Sequence, residues 1–337
     1  MADVEDSVGP ILVWIETDRE GAITPATREC LSVAIETGGQ TGADVVALCS
    51  GRDAETVAAD ASRYAVHDVR ILETALADPS APEALAAMIV GACAELRPSA
   101  VFLGESLVAA DLAPRIAFAL GVALVTDCAR IDCRSGELRL SKSVYGGNVV
   151  ATFAPETVPF VAILQSGCAN AATKRDQAPA EVAPLAITLD VSLPKVEVLE
   201  RVVEPRSGPA LAEASVVVAG GRGVGGVEGF RTIGDLARLL HGAVAASRPA
   251  CDAGWAPAAC QVGLTGQRVA PSVYIAAGIS GASQHLAGMS RARTIVAINR
   301  DARASMFQVA HYGVVGVWEE VGPAFRDAVA RMRESRS

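Results

Sequence analysis

Short apolar runs alternate with longer stretches of helical spacing along the first 120 positions. Ile11–Ile15, Val45–Leu48, Val69–Leu72 and Val101–Leu103 read as strands buried on both faces. Residues 26–37, 54–64, 82–96 and 107–120 carry apolar positions at helical intervals. Pro79 and Pro82 before the third helix, and Pro98 after it, are start and stop signals. Strand and helix in alternation predict a parallel sheet with helices on both faces. Past Asp127 the rhythm changes. Leu138–Tyr145, Val149–Phe153 and Phe160–Leu164 read as strands with short connections, and Tyr145-Gly146-Gly147-Asn148 as a turn. A few antiparallel strands are therefore expected to extend the first sheet. Residues 165–195 show little periodicity, Val196–Leu199 is one more strand candidate, and Glu204–Pro209 reads as a linker. The expected division is residues 1–200 and 201–337.

The second half repeats the alternation with more glycine. Ser215–Ala219 reads as a strand that runs into Gly220-Gly221-Arg222-Gly223-Val224-Gly225-Gly226 and then a helix near 230–241. Glycines after a strand let backbone N–H groups approach a phosphate, and an arginine there adds a charge-assisted contact. Val244–Ala246 ends in Ser247-Arg248, which puts a cation at the carboxyl end of a strand, where open α/β sheets bind ligands. The turn Gln261-Val262-Gly263-Leu264-Thr265-Gly266-Gln267 exposes N–H and hydroxyl groups. Val273–Ala277 reads as a strand, followed by Gly278-Ile279-Ser280-Gly281-Ala282-Ser283-Gln284-His285 opening a helix with Ser280 as its N-cap. Thr294–Ile298 is a further strand with Asn299 at its end. Arg222, Ser247, Arg248, Thr265, 280–285 and Asn299 thus fall at strand ends on one side of one sheet, an arrangement suited to a long dinucleotide.

Composition narrows the classes. Of 337 residues, 51% are hydrophobic, enough for sizeable cores, and the net charge is −9 with 4% aromatics. Neither a nucleic-acid surface nor an anionic membrane suits that balance. The eight cysteines are scattered without a Cys-x-x-Cys pair or a His cluster, so no metal is expected and a reducing cytoplasm is. The first ten residues carry Asp3, Glu5 and Asp6 and lack a signal-peptide pattern. The uncharged stretch 269–290 holds Pro271, Gly278 and Gly281, which do not suit a transmembrane helix.

At the loops of the second half the chain resembles the alpha subunit of electron transfer flavoprotein. Gly220-Gly221-Arg222-Gly223, Ser247-Arg248, Gln261–Gly266, Pro271–Met289 and Ala297-Ile298-Asn299 follow the family pattern in order. Asp111–Arg115, Thr126-Asp127 and Tyr145–Asn148 match its amino-terminal half more loosely. The resemblance implies two α/β domains, each a mainly parallel sheet flanked by helices. The first would associate with a beta subunit, and the second, Rossmann-like, would bind FAD. It implies an electron carrier rather than a stand-alone enzyme, fed by flavin-dependent dehydrogenases of the acyl-CoA dehydrogenase type and drained by a membrane quinone reductase. Arg222, Ser247, Arg248, Val262, Gly263, Leu264, Thr265, Ser280, Gly281, Ala282, Ser283, Gln284, His285 and Asn299 would line the cofactor. Arg248 would lie against the flavin ring, Thr265 near its N5 edge and His285 near its pyrimidine end, and these three would tune its potential. Asn299 would contact the adenosine half.

Four positions depart from the family pattern: Leu264 replaces a glutamine, Gln267 precedes Arg268 where a cation often comes first, Val317 replaces an aspartate, and Gln165 replaces an arginine. Two variants of the reading follow: a cofactor-depleted structural subunit, and an electron-bifurcating member whose second flavin lies in the partner. A nicotinamide-dependent enzyme would need an acid–base pair, for which only His285 and the distant Asp301 offer themselves.

Overall fold

In a computed structural model, residues 8–18, 20–74, 81–134, 137–145, 149–176, 178–189 and 210–334 are described. The chain divides into two compact units, 1–202 and 203–337. The expected turn at 146–148, the strand at 196–199 and the linker at 204–209 lie outside the described residues.

The first unit is built on seven parallel strands. Four are the apolar runs: β1 (Ile11–Trp14), β2 (Val45–Cys49), β3 (Asp68–Glu73) and β4 (Ala100–Gly104). The others are β5 (Leu124–Cys128), β9 (Phe160–Leu164) and β10 (Glu181–Ala186), and the order is β10-β3-β2-β1-β4-β9-β5. Alternation along each strand feeds two cores. Ile11, Val13, Val45 and Phe102 pack with α1 (Pro25–Thr41) and α2 (Ala54–Ala61). Leu12, Trp14, Val46 and Val101 pack with α3 (Pro82–Leu96) and α4 (Leu107–Leu120). Burial on both faces is why the inner strands β1, β2, β4 and β9 are apolar at every position. Thr24 caps α1 by accepting from the Thr27 N–H (3.2 Å), and Ser106 caps α4 from Ala109 (2.9 Å).

The expected extension of this sheet by antiparallel strands is corrected. β6 (Arg130–Arg134), β7 (Glu137–Val144) and β8 (Val149–Phe153) form a separate three-stranded antiparallel sheet. β9 instead runs parallel between β4 and β5, because all five of its residues are apolar and buried, as an inner position requires.

The second unit holds five parallel strands: β11 (Val216–Gly220), β12 (Ala243–Ala246), β13 (Val273–Ala277), β14 (Thr294–Asn299) and β15 (Tyr312–Val315). Their order is β12-β11-β13-β14-β15, a doubly wound sheet that reverses direction between β11 and β13. α5 (Val227–Leu239) and α9 (Trp318–Glu334) cover one face through Phe230, Ile233, Trp318 and Phe325. α7 (Ser283–Met289) and α8 (Met306–Val309) lie with Tyr274, Met289 and Met306 on the other. The short helix α6 (Arg248–Asp252) follows β12. Among the described residues no helix is long and apolar enough to cross a membrane; the uncharged stretch 269–290 is β13 and α7.

Candidate functional site

The sheet reverses direction between β11 and β13, the place where open α/β sheets bind ligands, and the loops at the strands' carboxyl ends there are joined by backbone hydrogen bonds. The Ser247 N–H donates to Gly220 (3.0 Å) and the Val262 N–H to Ala246 (3.0 Å), tying the ends of β11 and β12 to the 261–267 turn. The Leu264 N–H donates to Gln284 (2.7 Å) and the Val269 N–H to Gly288 (2.8 Å), docking that turn on α7. The Asn299 amide donates to Ile279 (2.9 Å), and the Met306 N–H donates to Ser280 (3.1 Å). Every predicted residue therefore belongs to one connected set of loops.

Four N–H groups of the glycine-rich loop are used within the fold. Gly221 donates to Ala277 (2.8 Å), Gly223 to Gly278 (2.9 Å), Val224 to Gly221 and Gly225 to Arg222. A Cβ on Gly221 would stand 2.3 Å from the Gly278 carbonyl oxygen, and one on Gly278 would stand 2.5 Å from the Gly223 carbonyl carbon. The glycines form a seam that lets the loops after β11 and β13 touch at the reversal point. What the seam presents outward is Arg222, an exposed side chain whose guanidinium has no partner among the described residues.

Ser280 does not cap α7. Gly281 has φ +82°, so the chain turns through the left-handed region and the helix starts only at Ser283, with Ala282 before it and no side-chain cap. The first-turn N–H groups of Ser283 and Gln284 are left without an intrahelical acceptor, as at any helix start. Ser280, Ala282, Ser283 and Gln284 are exposed, and Gly281 is buried against Met306.

Arg248 opens α6 with its side chain 66% exposed and only a long ion pair to Asp252 (3.6 Å). Ser247 is buried. Thr265 is exposed, and its hydroxyl accepts from the Gln261 amide (3.1 Å). Val262 and Gly263 are buried, Gly263 at φ +147° against the Gln284 carbonyl, and Leu264 is exposed. Asn299 uses its amide N–H toward Ile279 and accepts from the Asp301 N–H (3.0 Å), so it is first a brace between β14 and the loop after β13.

His285 is buried, and its Nε2 lies 3.0 Å from the Tyr274 hydroxyl. Burial pushes the imidazole down to about 4, with the Val262 backbone opposing, so the ring is neutral at pH 7. Its Nδ1 is buried and makes no hydrogen bond of normal geometry. Tyr274 is the residue that the pattern of strands concealed: it reads as a core position of β13, and nothing in periodicity marks its hydroxyl.

Burial pushes the thiols of Cys49 and Cys93 up to about 12 and that of Cys128 up to about 11, so these cysteines are not thiolates at neutral pH. Among the described residues no group of His, Cys, Asp or Glu could hold a metal ion.

Comparison with known proteins decides what these loops belong to. The model of the electron transfer flavoprotein domain matches residues 11–188, and that of the electron transfer flavoprotein FAD-binding domain matches residues 210–290. The electron transfer flavoprotein subunit alpha of Thermoanaerobacterium thermosaccharolyticum is 34% identical over 95% of this chain and 98% of its own. The chain belongs to the electron transfer flavoprotein alpha-subunit family. Protein FixB of Clostridium saccharobutylicum is 35% identical over 96% of each chain. The electron transfer flavoprotein subunit alpha of Paracoccus denitrificans is 39% identical over 81% of this chain and 86% of its own. The matched FAD-binding domain contains every predicted site residue except Asn299. Membership makes this an FAD-binding, electron-transfer subunit. The set of loops fits that cofactor: two exposed guanidiniums suit phosphates and an anionic ring, and the buried imidazole has an unused polar atom.

Proposed function

We propose that this chain is the FAD-carrying half of a heterodimeric electron carrier completed by a beta subunit. It would take electrons from flavin-dependent dehydrogenases of the acyl-CoA dehydrogenase type and pass them to a membrane quinone reductase or similar acceptor. The observation that carries this reading is the joined set of loops at the strands' carboxyl ends, with the exposed Arg222 and Arg248 and the buried, neutral His285. Such a site suits holding and tuning a redox group.

Bound FAD supplies one- and two-electron redox chemistry. The protein's part is to bind and orient. Arg222 and the free N–H groups at the start of α7 would hold the phosphates. Arg248, tethered only loosely to Asp252, can place its positive charge against the ring and raise the potential. The Thr265 hydroxyl has its O–H free to donate while it accepts from Gln261. Asn299 holds the loop after β13 in place for the adenosine end.

Pairing with a beta subunit is assigned to the first unit, residues 1–200, and FAD to residues 201–337. Support for a partner comes from exposed apolar groups: Leu107 and Phe118 on one face of α4, both over 90% exposed, and Val149, Val150 and Phe153 on the edge strand β8. An edge strand apolar on both faces is costly unless another chain covers it. Unpaired cysteines suit a reducing cytoplasm. The test is to co-purify the chain with a beta subunit and record the visible spectrum while an acyl-CoA dehydrogenase and its substrate are added. Flavin bands that bleach support the carrier. A flavin-free complex that added FAD cannot reconstitute would instead favour a structural subunit.

A further inference from the structure

The Tyr274 hydroxyl is fully buried among apolar groups, and its one hydrogen-bond partner is Nε2 of His285 at 3.0 Å. The rings meet edge-on, 6.2 Å between centroids. A buried phenol needs an acceptor for its proton, because leaving it unmade forfeits the full desolvation cost of the group. The neutral imidazole has one lone pair and one N–H. If the phenol donates to Nε2, the ring proton is on Nδ1.

The Val262 backbone acts on His285 in the direction that favours a ring proton, without a hydrogen bond of normal geometry to Nδ1. Gly263 next to it is locked against α7, since a Cβ there would stand 2.9 Å from the Gln284 carbonyl oxygen. The imidazole is tied through Nε2 to strand β13.

We infer that Tyr274 is a positioning residue of the FAD site, its buried hydroxyl donating to Nε2 and fixing His285 as the neutral Nδ1–H tautomer. This rests on the reading that the loops at the carboxyl ends of β11 and β13 hold the FAD. Tyr274 touches no cofactor. It acts by deciding which edge of the imidazole is a donor and by opposing a second ring proton, which would face the phenol's own proton. The flavin then meets a histidine whose orientation and charge do not change with its surroundings.

The test is nitrogen NMR of ¹⁵N-histidine-labelled full-length chain in its heterodimer, with His285 assigned through His285→Gln, on wild type and Tyr274→Phe, each with and without FAD. Tyr274→Phe keeps the ring and the packing. The expected wild-type result is one tautomer, Nδ1 protonated, in both states. In Tyr274→Phe the two nitrogens should average between tautomers, and the flavin potential should shift while FAD remains bound. An Nε2-protonated wild type, or a variant with unchanged nitrogen shifts, overturns the inference. Wild-type results need no variant to fold. The His285 resonances also report on the underlying reading: if adding FAD leaves them unmoved, the FAD is not at these loops, whatever the tautomer proves to be.

Discussion

His285 couples the site to acid. Its ordinary value of 6.5 is pushed down to about 4 in the fold, so between those values the unfolded chain binds a proton that the folded chain excludes. Stability from this group is complete above about pH 6.5 and is lost as pH falls toward 4, by on the order of 3 kcal/mol. Urea titrations of the chain between pH 7 and 4.5 should therefore give a shallower pH slope for His285→Gln than for wild type. Equal slopes would mean that the imidazole is not excluded from protonation. Leu264 is the other residue with an individual prediction. It is more than half exposed at a position where the resemblance implies a glutamine. Leu264→Gln restores an amide, worth about 0.5–1.5 kcal/mol per hydrogen bond. FAD should bind roughly 2–10-fold tighter in a fluorescence titration.

Elements decide how precisely the loops meet. Gly281 sits at φ +82° with an added Cβ only 2.2 Å from the Met306 backbone nitrogen, so Gly281→Ala must push the loop after β13 away from α8. It should lose more than about 2 kcal/mol and most of its FAD affinity. Gly234, within α5, has nothing within 4 Å of an added Cβ. Gly234→Ala should instead stabilise by about 0.5–1 kcal/mol and leave FAD binding alone. Thermal melts and FAD titrations of both variants check the opposite signs. The same contrast explains what was legible in the sequence. β1, β2, β4 and β11 were readable because strands buried on both faces must be apolar throughout. β10 was not: it is an edge strand with Pro184 in it and alternately exposed residues, so neither periodicity nor composition marks it. β15, exposed along its length, carries no burial signal either. The site loops were visible as glycine- and arginine-bearing segments. Their glycines' work as a contact seam between Gly221, Gly223 and Gly278 was not, because close approach is a property of two loops together.

At the scale of the molecule, the question is how a unit with an exposed apolar surface is used. α4 presents Leu107 and Phe118 outward, and β8 presents Val149, Val150 and Phe153. If a beta subunit covers both groups, Phe118→Asp and Val150→Asp should each weaken the heterodimer at least about tenfold, a desolvated apolar contact being worth about 1.5–3 kcal/mol. Sedimentation of the mixed chains measures it, with the FAD-binding unit's own residues untouched. The charge of the second unit's site has its most direct readout in the flavin itself. Arg248 is exposed, is tied only weakly to Asp252, and stands just past the carboxyl end of the edge strand β12, on the same side of the sheet as the other site loops. The decisive measurement is the FAD midpoint potential of the heterodimer with Arg248 and with Arg248→Ala. Removing a partly screened charge worth about 1–4 kcal/mol should lower the potential by roughly 50–200 mV per electron, with FAD retained and the melting temperature unchanged. A variant that keeps its FAD and its wild-type potential would contradict the placement of the flavin at this site.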